Sequence, residues 1–485
     1  MRHRCDFYWF GIRHFANNLR MKTSWFVLAA CSFLFLVRVG AAPIATSDAL
    51  IAAVENSDSG ATIELAEGTY QLAAPLNLKS GLTLKGAGAG KTIITHVPEW
   101  KPSTSTLPDP EMRTKGLDTE AYLLRLASKA ENVHLSDLTL RGPQLHGAIY
   151  GYGPVGLRVE RVQIEDFLWS GIRTFAMREA KILDCTFVDA GGRWERGGKP
   201  GVKGGITGGG IFAIWMKDSE IAHNRFLRTQ LEKQDEYYGI KVRQAKRCRV
   251  HHNTIETNFS MEFPFENDED NEIDHNVCFG TISLPKHAGG PVPESGRTFR
   301  IHHNLMYDTY SIEFVRNGIE IDHNLFDFDV AKDHGNLISG FGKAEAKGPM
   351  FFHNNLVSNP GRGVLWINEP YHHAEIRNNH IITRPTATPR TEGLFGFNPN
   401  SDFSQITLRD NIIECIGTPR AVFRKAEAYN ATVTNNALIN VADADRFGPS
   451  ADPKTVGLEA PLKFNCGVHG EFAVDGWKVT PPAEK

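Results

Sequence analysis

The sequence predicts an all-β chain wound as a parallel β-helix, a single-stranded solenoid of three short sheets and about 11–13 coils. Three observations predict it. The first is a repeat of the form apolar, two residues, Asn, one residue, apolar. It fits Ile221–Asn224–Phe226, Val250–Asn253–Ile255, Ile273–Asn276–Cys278, Ile301–Asn304–Met306 and Ile321–Asn324–Phe326. It continues through Phe352–Asn355–Val357, Ile376–Asn379–Ile381, Leu408–Asn411–Ile413 and Val433–Asn436–Leu438, with 20 to 32 residues between copies. The second is the same frame upstream without Asn: Leu135–Leu138–Leu140, Val159–Val162–Ile164 and Ile182–Cys185–Phe187. A position that takes Leu, Val, Cys and Asn in turn faces the interior, where stacked Asn side chains can hydrogen-bond along the axis. The third is a further short strand after a variable loop in each period. Examples are "GIKVRQ" (239–244), "MEFPFEN" (261–267), "SIEFVRN" (311–317), "GVLWINE" (363–369) and "GLFGFN" (393–398). Alternation of period two, β-branched residues and Gly, Asn or Asp at the corners mark all three as strands.

Taken in order, residues 1–20 read as an upstream extension. "MKTSWFVLAACSFLFLVRVGAA" (21–42) has the layout of a secretory signal, with Met21 as the start and cleavage after Ala41. Its apolar run, about 14 residues, is short for a spanning helix; the alternative is an uncleaved anchor. Either way the remainder, 42–485, is expected outside the cytoplasm, secreted or periplasmic, as a single domain with caps at both ends. A net charge of −3 gives no reason to expect nucleic acid or an anionic membrane surface as a partner. Beyond the signal, Cys185, Cys248, Cys278, Cys415 and Cys466 are isolated, and no CxxC occurs. That excludes a zinc ribbon and a dense disulfide framework, and leaves single buried thiols.

"SDALIAAVENSDSGATIELAEGTYQL" (47–72) followed by "SGLTLKGAGAGKTIIT" (80–95) resembles the amino-terminal cap and first coil of the pectate-lyase-like right-handed β-helix superfamily. The resemblance covers roughly residues 45–470. It implies a right-handed helix with a short N-terminal capping helix, and it makes "ADPKTVGLEAPLKFNCGVHGEF" a cap over the last coil. It also implies that a substrate groove runs along the outer face of the sheet following the long loops, away from the Asn corners. The scaffold serves lyases, hydrolases, epimerases and adhesins, so the activity has to come from the side chains. The Asp-Pro-His signature of the epimerases is missing.

Alternation sorts those side chains. In "GIKVRQ", Ile240 and Val242 face in and Lys241 and Arg243 face out. In "MEFPFEN", Phe263 and Phe265 face in, with Glu262, Pro264 and Glu266 outside. In "SIEFVRN", Glu313 faces out and Arg316 follows. Arg173 of "GIRTFAM" holds a comparable place and Trp215 of "FAIWM" lies between. Strands about 4.8 Å apart would join these residues into one patch. Lys, Arg and Glu above a sheet suit an acidic, uronate-containing polysaccharide. β-Elimination requires neutralising the carboxylate, taking the C5 proton and protonating the leaving oxygen. Lys241 crowded by Arg243 is the candidate base, Arg the carboxylate partner, and Tyr238 or Tyr237 the proton donor. Glu262 and Glu266 are candidate calcium ligands. His287, next to Lys286 in "GTISLPKHAGGPVPESG" (280–296), is a further candidate base. Arg173, Trp215, Glu313 and Arg316 are candidate substrate contacts.

The loop "GGRWERGGKPGVKGGITGGG" (191–210), with Arg193, Trp194 and Arg196, is expected to be a wall or lid of the groove, and "DFDVAKDHGN" (327–336) adds Asp329, Asp333 and His334 as candidates on the same terms as His287. The expectation is a secreted, monomeric polysaccharide lyase. The alternatives are a glycoside hydrolase using two of Glu262, Glu266 and Glu313, and a non-catalytic polysaccharide-binding protein. The same charges could also form a solvated salt-bridge ladder.

The corners themselves read "CRVHHN", "NEIDHN", "FRIHHN" and "IEIDHN". Their Asn residues are expected inside. His223, His252, His275, His303 and His323 are expected outside as a column, with only an adventitious affinity for a transition metal.

Overall fold

The computed structural model describes residues 42–100, 119–191, 208–229, 237–257, 259–263, 268–284, 296–307, 312–314, 318–328, 335–340, 349–367, 373–385, 392–399, 403–424 and 430–481. At positions 259, 313, 314 and 340 only the backbone is described. The chain divides into two units, Met1–Ala42 and Pro43–Lys485. Among the described residues, every helix and strand belongs to the second unit.

That unit opens with the helix Ser47–Asn56, which Thr46 caps by accepting a hydrogen bond from the Ala49 N–H on Oγ1 at 3.3 Å. Leu50 and Val54, one turn apart, are buried against the first coil. Beyond it the strands run in parallel ranks. One rank is a twelve-stranded sheet among the described residues, whose strands are separated by the variable loops. The other two ranks lie on either side of the Asn corner and join into one sheet. The joining occurs because His134–Arg141 and Arg158–Phe167 pass through that corner as single strands. The parallel β-helix is therefore established by register. In the twelve-stranded sheet Leu124, Ile149, Ile172, Ile211, Ile240, Met261, Ile282, Ile312, Ile338, Leu365 and Phe395 stand in line and face the core.

The corner combines two requirements in two adjacent residues. The first residue takes a left-handed conformation, with φ between +51° and +58°, in twelve successive coils from Asp137 to Asn435. Asp, Asn and His tolerate that region better than most side chains do. His223, His252, His275, His303 and His323 are in the corner because the turn needs such a residue. The second residue points inward, and from Asn224 to Asn436 it is always Asn. Asn224 Nδ2 donates to Asn253 Oδ1 at 3.0 Å, and the same bond recurs coil by coil to Asn436 at 2.9–3.1 Å. Each Oδ1 also accepts a backbone N–H of the coil before it, and the first does so from Cys185 N at 2.9 Å. Leu138, Val162 and Cys185 hold the same interior position upstream.

Among the described residues, Cys185, Cys248, Cys278, Cys415 and Cys466 are free and buried. Burial pushes the Cys185 and Cys278 thiols up to about 12 and Cys248 to about 11, so none of these three is a nucleophile near neutral pH.

The C-terminal segment takes a different course from a cap on the last coil. It turns back and runs along the Asn corner toward the N-terminus. Ala451 N–H donates to Asn436 O, Gly457 to Asp410 O, Glu459 to Asn354 Oδ1, and Gly467 to His275 O, at 2.8–3.0 Å. Its three short antiparallel strands, Lys463–Cys466, Phe472–Asp475 and Lys478–Thr480, form a sheet of their own. Leu462, Phe464, Cys466 and Val474 of this segment cover Val277, Leu305, Leu325 and Leu356 of the helix.

Candidate functional site

The outward face of the twelve-stranded sheet presents one row in register: Asn77, Arg125, Tyr150, Arg173, Phe212, Lys241, Glu262, Ser283, Glu313, Ser339, Trp366 and Gly396. Lys241 and Glu262 are thus direct cross-strand partners on Tyr238–Lys246 and Phe259–Glu262. Lys241 Nζ contacts a Glu262 carboxylate oxygen, and their side chains are only 5% and 12% exposed. Lys241 Nζ also lies 4.2 Å from the Tyr238 ring centroid and 5.9 Å from that of Phe212. Arg243, two residues further out on the same strand, places its guanidinium carbon 5.5 Å from the Phe212 ring. Lys241 and Arg243 therefore share the Phe212 ring, and Lys241 in turn meets Tyr238 and Glu262.

Arg173 is in the same row, two strands away, and its surroundings differ from those of an open groove. Its guanidinium carbon lies 3.9, 4.5 and 4.9 Å from the Phe212, Phe175 and Trp169 rings, and the residue is 1% exposed. Stacking on three rings gives a weakly hydrated guanidinium a low-dielectric seat. In this conformation it reinforces the neighbouring field and does not reach a polymer. Trp215 departs further from the expected patch. It sits three residues past Phe212, about 10 Å along the strand, in a left-handed corner at φ +60° and 54% exposed. That positive φ breaks the alternation on which its placement depended.

Glu313 joins the row by its backbone, next to Ser283. His287, Arg316 and Glu266 lie outside the described residues, as do Lys286, Arg193, Trp194, Arg196, Asp329, Asp333 and His334. Sequence reasoning passed over Phe212, Phe175, Trp169, Tyr122 and Tyr150, which form an aromatic cluster on the sheet's outer face. The signal for it was there: aromatic residues at outward positions in consecutive coils.

A calcium site on Glu262 needs six to eight oxygen ligands. Its carboxylate instead faces the Lys241 ammonium. Among the described residues, the clusters of three or more His, Cys, Asp or Glu ligands all lie at the Asn corners. There the carboxylates are already engaged. Asp274 is held by both Arg249 nitrogens at 2.8 and 2.7 Å and by His275 Nδ1 at 2.9 Å. Arg300 grips Asp322 in the same way. Burial alone would raise the Asp274 and Asp322 carboxyls, but these hydrogen bonds bring both below the usual carboxylate range. A divalent ion would have to displace an arginine from each.

Comparison with family models finds no match, and comparison with curated proteins finds none. Among solved structures the chain is similar to an alginate lyase in complex with G6, at 13% identity and a TM-score of 0.48 over 91% of each chain. It is similar to the A-module of a mannuronan C-5 epimerase from Azotobacter vinelandii, at 13% identity and a TM-score of 0.43. That match covers 80% of this chain and 93% of the other. It is also similar to the catalytic unit of a GH87 α-1,3-glucanase from Streptomyces thermodiastaticus, at 13% identity and a TM-score of 0.40, covering 74% and 68%. At these identities the likeness concerns the fold alone.

Proposed function

We propose that the chain is a polysaccharide lyase acting by β-elimination on a uronate-containing polymer over the twelve-stranded sheet. The observation that carries the reading is the cluster in which Lys241 meets Glu262 and Tyr238 and shares the Phe212 ring with Arg243. Beside a carboxylate, Lys241 is disposed to stay an ammonium, which is the wrong form for a base. The same pair offers a remedy, because the two side chains are in contact and largely out of water. Passing one proton from Lys241 to Glu262 leaves a neutral amine. That amine takes the C5 proton while Arg243 pairs with the uronate carboxylate. The C4–O bond breaks as the C4–C5 double bond forms, and the Tyr238 phenol protonates the leaving oxygen. No step in this scheme uses a metal, so chelation is expected to leave turnover unchanged.

The test is to incubate the protein with alginate, pectate, glycosaminoglycans and ulvan and follow the absorbance of unsaturated ends. A rise with one polymer that Lys241→Ala abolishes supports the reading. A second reading rests on the register, which puts Glu262 and Glu313 two strands apart, with backbones about 9.6 Å from each other. Two glutamates in one row are what a hydrolase would draw on; reducing ends without absorbance would select it. Binding without turnover would instead mark a polysaccharide-binding protein.

A further inference from the structure

The histidines of the corner form a stack. His469 of the C-terminal segment lies on His223, which is followed by His252, His275, His303 and His323, with ring centroids 4.7–5.1 Å apart. The Phe464 ring stands edge-on to His275 and His303 at 6.2 and 5.6 Å. Around it, Cys466 Sγ reaches His303 O at 3.2 Å and Gly467 N–H donates to His275 O at 2.9 Å. The C-terminal segment, more than 140 residues further along the chain, thus meets the stack at His223, His275 and His303, beside the apolar contacts of Leu462, Phe464, Cys466 and Val474.

We propose that the C-terminal segment, residues 451–480, is an acid-released strap, held on the corner by neutral imidazoles and unseated when they take up protons. Neutral rings stack; imidazolium rings at the same spacing repel one another. The residue before each ring decides how that charge is met. His275 and His323 hydrogen-bond Asp274 and Asp322, whereas His252 and His303 hydrogen-bond the imidazoles of His251 and His302 at 2.9 Å. The next row out supplies Glu220, Arg249, Glu272, Arg300 and Glu320, and the two arginines occupy Asp274 and Asp322. From the strap, Glu471 is taken by Arg225 and Thr254, and His469 faces Asp184 at 3.0 Å. His252 and His303 thus hydrogen-bond imidazoles, while the carboxylates nearest them, Asp274 and Asp322, are already held by an arginine and by the neighbouring histidine.

Burial, then the neighbouring imidazoles, lower His252 and His303 to about 4, and burial lowers His223 as well. A folded value below the unfolded 6.5 means the strap's hold is complete above pH 6.5 and is lost as pH falls toward about 4.

The parent chain tests this through hydrogen exchange of the amides of Lys463–Cys466 and Phe472–Asp475, corrected for intrinsic rates. Their protection is expected to fall at least about tenfold between about pH 7 and pH 4, while that of the Tyr238–Lys246 strand holds. A strap fully protected down to pH 4 overturns the proposal. A second protein replaces His223, His252, His275, His303 and His323 by Asn, which already occupies this left-handed position at 354, 378 and 435. Its strap protection is expected to lose the pH dependence. The same acid transition in that protein would assign release to the carboxylates and overturn the proposal too.

Discussion

At the residue scale the corner makes the sharpest demands. Asn304 donates to Asn324 Oδ1 and to two carbonyls, and its own Oδ1 accepts from Asn276. Asn304→Ala strands those buried groups on both sides, at about 1–3 kcal/mol for each group left without a partner. Chemical denaturation should show a loss of at least that size; an unchanged midpoint would mean the ladder is incidental. At the left-handed position just before Asn253, His252→Val places a β-branched side chain at φ +52°, where it should cost about 1–2 kcal/mol, while His252→Asn should cost much less. Sequence alone brought out the interior Asn positions, because Leu, Val and Cys substitute for them upstream. It did not bring out the left-handed φ of the His, because a turn conformation leaves no periodic trace. For the same reason Trp215 could not be placed: alternation fails at the first residue with positive φ.

At the element scale, stacking of identical coils turns single contacts into rows. Arg249–Asp274 and Arg300–Asp322 recur two coils apart, each with a fully buried carboxylate and a partly exposed arginine. Asp274→Ala leaves Arg249 without its main partner, and about 3 kcal/mol of stability should be lost. Both carboxyls sit below the usual range, so their contribution is present above about pH 4 and is lost as pH falls further. Global acid unfolding is thus expected below the window in which the strap is released, and a pH series of thermal melts would separate the two. The pairing of Lys241 with Glu262 follows from alternation plus strand spacing, and both were readable. What sequence could not supply was the third dimension above the sheet. Arg173 reads as an outward arginine, yet Trp169, Phe175 and Phe212 enclose it.

At the scale of the whole molecule, one sheet face carries the Lys241–Glu262 cluster and the Asn corner carries the C-terminal segment. The two are separate consequences of one repeat. Inward positions fix the register, and outward positions then vary from coil to coil. The strap was illegible because it has no repeat, and its partners lie up to 285 residues away, as from His469 to Asp184. Among the described residues no helix is long and apolar enough to cross a membrane. The claim that the Lys241–Glu262 cluster performs β-elimination is tested most directly by one comparison. The parent chain and Lys241→Ala, each shown to be folded, are incubated with the uronate polymer that responds in the panel, and unsaturated-product absorbance is followed. The parent is expected to produce it and the variant to lose at least about a hundredfold in rate. Equal rates in the two proteins would contradict the assignment of this cluster.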